Sequence, residues 1–384
     1  MKQPFTYLLL IVLTILPYLN INATEDTRSD STKSILYIQG GIYTGYIYAH
    51  HRSMTYLLEN YARGAHLRVG WRLNGAAAWH HAYRMLSVGC GYMFSDLGSP
   101  KYLGYAHSLY GFVDIPIISG DKFSWTYDLG VGLGYITKKF DINDNPNNKV
   151  IGSNINAFLL VSTGIEYAPT KYTTVKLDWG LHHLSNGNTS EPNWGVNTVY
   201  LMAGVKQKID KNPANKPRKI PFDDKIWQML FSYGVGSKEI TPITGNKYFV
   251  SDLHFTVRRK ISYTNGVGGG VDLMYDGSIS KELKYSSKLG RNLPDSVYTE
   301  KNIHNFSPAI HANWSVYLGR VIFDIQLGLY LHDKLDRIYF NRWILEIELT
   351  KHFSIYGSLK SHLGSADYIH LGVIFNLSKK AENR

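Results

Sequence analysis

Along most of the chain, apolar and polar positions alternate with a period of two. From residue 123 the odd positions read Phe123, Trp125, Tyr127, Leu129, Val131, Leu133 and Tyr135, while the even ones are Ser124, Thr126, Asp128, Gly130, Gly132 and Gly134. Successive side chains of a β-strand point to opposite faces, so this segment has one greasy face and one small or polar face. The pattern returns at Val321, Phe323, Ile325, Leu327, Leu329 and Leu331, and again at Ile369, Leu371, Val373, Phe375 and Leu377. Followed along the chain, it predicts sixteen strands: 35–48, 64–73, 84–96, 103–117, 122–137, 154–168, 171–185, 196–209, 226–239, 247–262, 265–277, 304–318, 320–332, 338–349, 351–363 and 366–378.

The predicted connections alternate in length. Those at 118–121, 169–170, 263–264, 319 and 350 are tight, whereas 49–63, 138–153, 186–195 and 278–303 are long. Outer-membrane barrels have short turns at one end, long loops at the other, and strands with apolar residues outward and polar residues inward. The expected fold class is therefore all-β, a transmembrane antiparallel β-barrel. A secreted β-sandwich would also bury an apolar face, but it does not require loop lengths to alternate. After the eighth strand comes a basic stretch with Pro213, Pro217 and Pro221 and little that is apolar. It suggests two tandem eight-stranded units, 35–209 and 226–384, joined by a linker at 210–225. One sixteen-stranded barrel is the alternative.

Composition narrows the class. The chain has Tyr 29, Phe 15, Trp 8 and Gly 35 with only 18% charged residues, which excludes a disordered polypeptide. Cys90 is the single cysteine, so there is no intrachain disulfide and no Cys-x-x-Cys zinc site. Lys2, the apolar run from Phe5 to Leu16, and small residues ending near Ala23 read as a secretory signal peptide over 1–23. A membrane anchor would need about 20 apolar residues. The expected destination is the bacterial outer membrane, reached with cleavage of that peptide. The formal charge is +11, and removing 1–23 takes away one lysine and no acid. The charge suits the phosphates of lipopolysaccharide, although periplasmic peptidoglycan or no partner at all would explain it equally well, and export argues against a nucleic-acid partner.

The candidate chemistry lies at the end of the seventh strand. Its odd row reads Val175, Leu177, Trp179, Leu181, and then changes abruptly to His183 and Ser185. Two residues apart on a strand, these side chains share a face and can approach within hydrogen-bonding reach. The antiparallel eighth strand brings Asn197 to the same face and the same end. Ser and His supply a nucleophile and a base, and a third polar group fixes the imidazole tautomer. Interfacial polar residues in the headgroup zone would produce the same composition without chemistry.

His183-Leu184-Ser185-Asn186, followed by Pro192-Asn193-Trp194-Gly195-Val196-Asn197, resembles the PagL-type lipid A 3-O-deacylases, also called acyloxyacyl hydrolase-like outer-membrane proteins. The resemblance covers 35–209 as an architecture and 183–197 as a motif. It implies an eight-stranded barrel with its site on the outer surface, Ser185 as nucleophile, His183 as general base and Asn193 in the oxyanion hole, beside backbone N–H groups at Asn186 to Asn188. The family's third catalytic residue is a Glu twelve positions after the Ser. Here that position is Asn197, which can hold the imidazole but lends it no charge, and Glu191 in the loop is the nearby carboxylate.

The second half does not repeat the site: aligning Leu359 with Leu181 puts Ser361 at the His position and Leu363 at the Ser position. That unit is expected to be non-catalytic, and through it a second copy of the chain is a candidate partner. The pairs His50-His51 and His80-His81 read as surface loops, and the glycines at 130–134 and 266–270 as space inside a barrel. The expected function is a serine esterase that removes an ester-linked acyl chain from lipid A, with no metal and no cofactor. The alternative is a non-catalytic barrel, structural, adhesive or a narrow pore.

Overall fold

The computed structural model describes residues 33–210, 216–222, 227–288 and 302–378. The expected signal peptide and parts of the 210–225 segment lie outside the described residues. Sixteen strands follow in chain order: β1 Ile35–Ile47, β2 Ala62–Arg72, β3 Ser87–Asp96, β4 Tyr105–Ser119, β5 Phe123–Ile136, β6 Ile155–Tyr167, β7 Thr173–Ser185, β8 Val196–Lys208, β9 Trp227–Glu239, β10 Lys247–Lys260, β11 Asn265–Asp276, β12 Phe306–Leu318, β13 Val321–Tyr330, β14 Tyr339–Glu348, β15 Phe353–His362 and β16 Ser365–Asn376. Among the described residues two α-helices lie in connections, α1 at Ala78–Ala82 and α2 at Ile279–Lys288.

Every strand pairs antiparallel with its sequence neighbour, and the pattern closes twice. β1 returns to β8 with Gly40 opposite Val205, and β9 returns to β16 with Gly234 opposite Gly372. A single sixteen-stranded barrel would need β8 paired with β9. The fold is two closed eight-stranded barrels, in separate compact units carrying β1–β8 and β9–β16.

In the first barrel the alternation sorts residues as expected. On β7, Val175, Leu177 and Trp179 are 45%, 45% and 42% exposed, while Lys176, Asp178 and His182 are 0%, 3% and 0%. The inward row is ionic. Lys176 Nζ lies 2.6 Å from Asp128, 3.2 Å from Asp178 and 3.4 Å from Asp114, and Arg68 reaches Asp128 at 3.4 Å. Around this lattice pack Tyr37, Tyr110, Phe158 and Tyr200. Glycines make the room: a Cβ on Gly134 would sit 2.3 Å from Leu184 Cδ2, and one on Gly130 would touch Tyr110 at 3.0 Å. The interior is filled by side chains, which disfavours a pore.

The second barrel is filled in the same manner. Arg342 bridges Asp252 at 3.1 Å and Asp272 at 2.9 Å, Arg258 pairs with Glu346 at 3.0 Å, and Lys360 with Asp367 at 2.6 Å.

One expectation about the histidine pairs fails. The 73–86 segment, at the tight-turn end of the first barrel, holds α1, and β3 begins at Ser87 rather than 84. His80 and His81 lie in that helix and are buried, where surface loop positions were expected. His81 Nε2 bonds to the Gly75 carbonyl at 2.9 Å, and the His80 ring packs edge-on to Trp79 at 4.4 Å.

Candidate active site

β7 and β8 pair so that His183 lies opposite Asn197 and Leu184 opposite Val196. Across the other edge of β7, Ser185 lies opposite Ala157 and His183 opposite Leu159, on β6. Register alone thus brings His183 and Asn197 together. His183 Nδ1 is 2.7 Å from Asn197 Oδ1. Amide oxygen accepts, so Nδ1 carries the proton and Nε2 is left with its lone pair. That is the tautomer a general base requires.

Ser185, two residues on, is 7% exposed, less open than the aliphatic row below it. Part of the cover is the end of the segment that returns to β8, at Gly195. Gly195 sits against both catalytic candidates: a Cβ there would lie 2.6 Å from His183 Cε1 and 3.3 Å from Ser185 Cβ. Its φ of +76° is also left-handed, where a side chain is strained. The glycine therefore lets the chain pass directly over the imidazole.

Two further segments hold that return in place. Gly195 N–H donates to Val150 O at 3.1 Å, and Asn193 forms an antiparallel bridge with Ile151. Val150 and Ile151 are themselves positioned by Asn148, which is fully buried. Its Oδ1 accepts from both their N–H groups at 3.2 and 3.3 Å, and its Nδ2 donates to the carbonyls of Tyr102 and Lys138. Asn148 was not singled out in the sequence, where it stands among asparagines in a polar loop with no local signal.

Asn193 Oδ1 accepts the Asn186 N–H at 2.9 Å. This sets the acceptor end of the amide on Asn186, leaves Nδ2 as its donor end, and commits the Asn186 N–H to Asn193. The two residues expected to form an oxyanion hole are thus brought together, with Asn186 holding Asn193. A third contact was missed by sequence reasoning. His50 is exposed, as expected, yet its Nδ1 lies 3.2 Å from Asn197 Nδ2. The ring of its neighbour His51 packs at a tilt against Trp194, with centroids 4.5 Å apart.

Among the described residues, the second barrel does not repeat this arrangement at the aligned positions. β15 and β16 are joined by a two-residue turn with Leu363 at φ +48° and Gly364 at φ +89°, and Leu363, at the aligned Ser position, is 82% exposed. Ser361, at the aligned His position, bonds to Asn341 at 2.7 Å on the neighbouring strand.

Comparison with known proteins gives one match in each barrel. Residues 64–206 match the family model for lipid A 3-O-deacylase (PagL), and residues 227–379 match that for the acyloxyacyl hydrolase C-terminal domain. Among solved structures the chain is similar to Neisserial surface protein A (NspA), with 17% identity, 45% of this chain and 97% of that chain covered, and a TM-score of 0.29. The crystal structure of the outer membrane enzyme PagL gives 16% identity, 43% and 97% coverage, and a TM-score of 0.28. A Rh. blastica porin mutant gives 7% identity, 90% and 100% coverage, and a TM-score of 0.17. No curated protein sequence matches the chain.

Proposed function

The chain belongs to the family of PagL-type lipid A deacylases, hydrolases built as outer-membrane β-barrels, and from that premise we propose that it is a serine esterase with Ser185 as nucleophile. The observation that carries the reading is the 2.7 Å bond from His183 Nδ1 to Asn197 Oδ1, beside Ser185 at the end of the lipid-facing row.

In this mechanism Ser185 Oγ attacks the ester carbonyl carbon of an acyl chain on lipid A, and its proton passes to His183 Nε2. Asn197 Oδ1 accepts from Nδ1–H throughout and keeps the ring oriented. Negative charge grows on the carbonyl oxygen and is met by Asn193 Nδ2, itself held by the Asn186 N–H. Losing one such donor typically costs about 10²–10³-fold in kcat. On collapse, the C–O bond to the sugar breaks and His183 Nε2–H protonates the leaving oxygen. Water then attacks the acyl-serine by the same route, releasing the fatty acid. The acyl chain finds Leu159 and Leu181 beside the site, on the face that meets lipid, so the ester reacts without leaving the leaflet.

Export by cleavage after residue 23 belongs to the same proposal, and N-terminal sequencing of the outer-membrane form tests it. The second reading, a non-catalytic barrel, draws support from the amide at 197 where the family has a carboxylate. The deciding experiment compares lipid A masses from cells that express the chain, its Ser185→Ala variant or its Ser361→Ala variant. Loss of one acyl unit with the native chain and Ser361→Ala, but not with Ser185→Ala, supports the esterase in the first barrel. Identical lipid A in all three strains, with each protein in the outer membrane, sinks it.

A further inference from the structure

A carboxylate at position 197 would accept from His183 whichever way it turned. An amide has an acceptor end and a donor end, so its orientation decides the chemistry. With Oδ1 toward His183, Nδ1 keeps the proton and Nε2 is basic. Flipped, Nδ2–H would donate to Nδ1 and move the ring proton to Nε2, where it blocks proton transfer from Ser185. The strand pairing of β7 and β8 does not distinguish the two orientations, because a flip exchanges Oδ1 and Nδ2 without moving the backbone.

We infer that His50 makes that choice: its Nδ1 lone pair accepts Asn197 Nδ2–H and thereby holds Oδ1 on His183 as a positioning residue for the general base. The geometry supports this from two sides. Nδ2 lies 3.2 Å from His50 Nδ1 while Oδ1 lies 2.7 Å from His183 Nδ1. Barrel closure delivers His50 there. β1 pairs with β8 up to Ile47 opposite Thr198, and Tyr48 N–H continues the ladder by donating to Asn197 O at 2.8 Å. His50 follows two residues later, and the adjoining His51 packs at a tilt against Trp194 of the covering segment. A neutral His50 with its own proton on Nε2 satisfies the arrangement. An imidazolium at 50 would donate from Nδ1 and favour the flipped amide, so the basic form of His183 requires His50 neutral.

This inference rests on His183 as the general base, and its test separates the two. Full-length chain in detergent micelles is assayed on purified lipid A as native protein, His50→Ala, Asn197→Glu and the double variant. One hydrogen bond of this kind corresponds to about 2–13-fold. The expected result is a loss in that range in kcat, with KM unchanged, for His50→Ala in the native background. In the Asn197→Glu background, where no orientation has to be chosen, the same substitution changes kcat less than twofold. An equal loss in both backgrounds means simple packing and overturns the proposal, as does no loss in the native background. A second measurement needs no turnover: ¹⁵N shifts of the His183 ring report which nitrogen is protonated. The native chain is expected in the Nδ1–H form and His50→Ala in a mixture, and an unchanged tautomer overturns the proposal. Should Ser185→Ala keep full activity, the nucleophile assignment fails while the tautomer measurement still decides the role of His50.

Discussion

Replacing Gly195 by alanine tests whether the covering segment, and not only the Ser–His pair, sets the catalytic geometry. The added Cβ would lie 2.6 Å from His183 Cε1, 3.1 Å from Leu184 O and 3.3 Å from Ser185 Cβ. Carbon atoms rest about 3.5–4.0 Å apart, so the imidazole has to retreat by roughly 1 Å or the segment has to lift by as much. A displacement of that size at reacting groups costs on the order of 10²-fold in rate. Separately, alanine at φ +76° costs about 1–2 kcal/mol of local stability. Gly245→Ala isolates that second effect, since its φ is +63° and nothing lies within 4 Å of its Cβ position. Timed release of fatty acid from lipid A, read as kcat/KM beside heat-modifiable gel migration, compares the two variants. Gly195→Ala should lose about 10²-fold with the barrel still folded, and Gly245→Ala should retain native activity. Activity of Gly195→Ala within threefold of native, or an equal loss in Gly245→Ala, refutes the argument.

Three other outcomes follow from the same contacts. Asn148→Ala removes the acceptor of the Val150 and Ile151 N–H groups and leaves them buried, a cost of about 1–3 kcal/mol. It should loosen the hold on Asn193 and Gly195, lowering kcat/KM about tenfold and opening the 138–153 loop to limited proteolysis; intact protease resistance would count against it. Lys176→Met strips the cation from Asp114, Asp128 and Asp178 inside the first barrel and should destabilise it by about 3–5 kcal/mol in urea titrations. Adding Asp128→Asn should restore part of that loss. Burial and the neighbouring His81 push His80 down to about 4. The folded segment therefore favours the neutral ring, and its stability is complete above about pH 6.5, the ordinary histidine value. That stability drains as pH falls from there toward 4, so amide protection factors in 73–86, referred to the intrinsic exchange rate at each pH, should fall over this window in the native chain and not in His80→Phe.

The strands were legible because facing is a two-state variable. A residue on β7 points either to lipid or to the interior, and Leu177 beside Asp178 declares both faces at once. The closure into two rings was legible less directly, through the proline-bearing stretch after β8, and the ring closures of β1 on β8 and β9 on β16 decide it. The helix in 73–86 was missed for a physical reason: its N-cap is Ala77, with no side-chain cap, and its first turn holds no acidic residue. It is kept by burial of its histidines and by the turn that ends it, with Arg84 and Met85 both at positive φ. None of these features is a local sequence signal.

The site divides along the same line. His183, Ser185 and Asn197 share a face by strand arithmetic, and the contact of His183 with Asn197 needed only the period of a strand and one antiparallel neighbour. Asn148 and Gly195 act through a loop crossing that periodicity does not describe. His50 is the extreme case, 147 residues from Asn197 in sequence and beside it only because the barrel's first strand closes on its last. The substitution that most weakens the sequence reading, an amide where the family has a carboxylate, is also what gives that distant histidine its use. An amide gives up the charge that would steady an imidazolium and acquires a direction that something must set. In a closed barrel the candidates for setting it lie on or just beyond the strand that completes the ring, and His50 follows β1 two residues after the Tyr48 bond to Asn197.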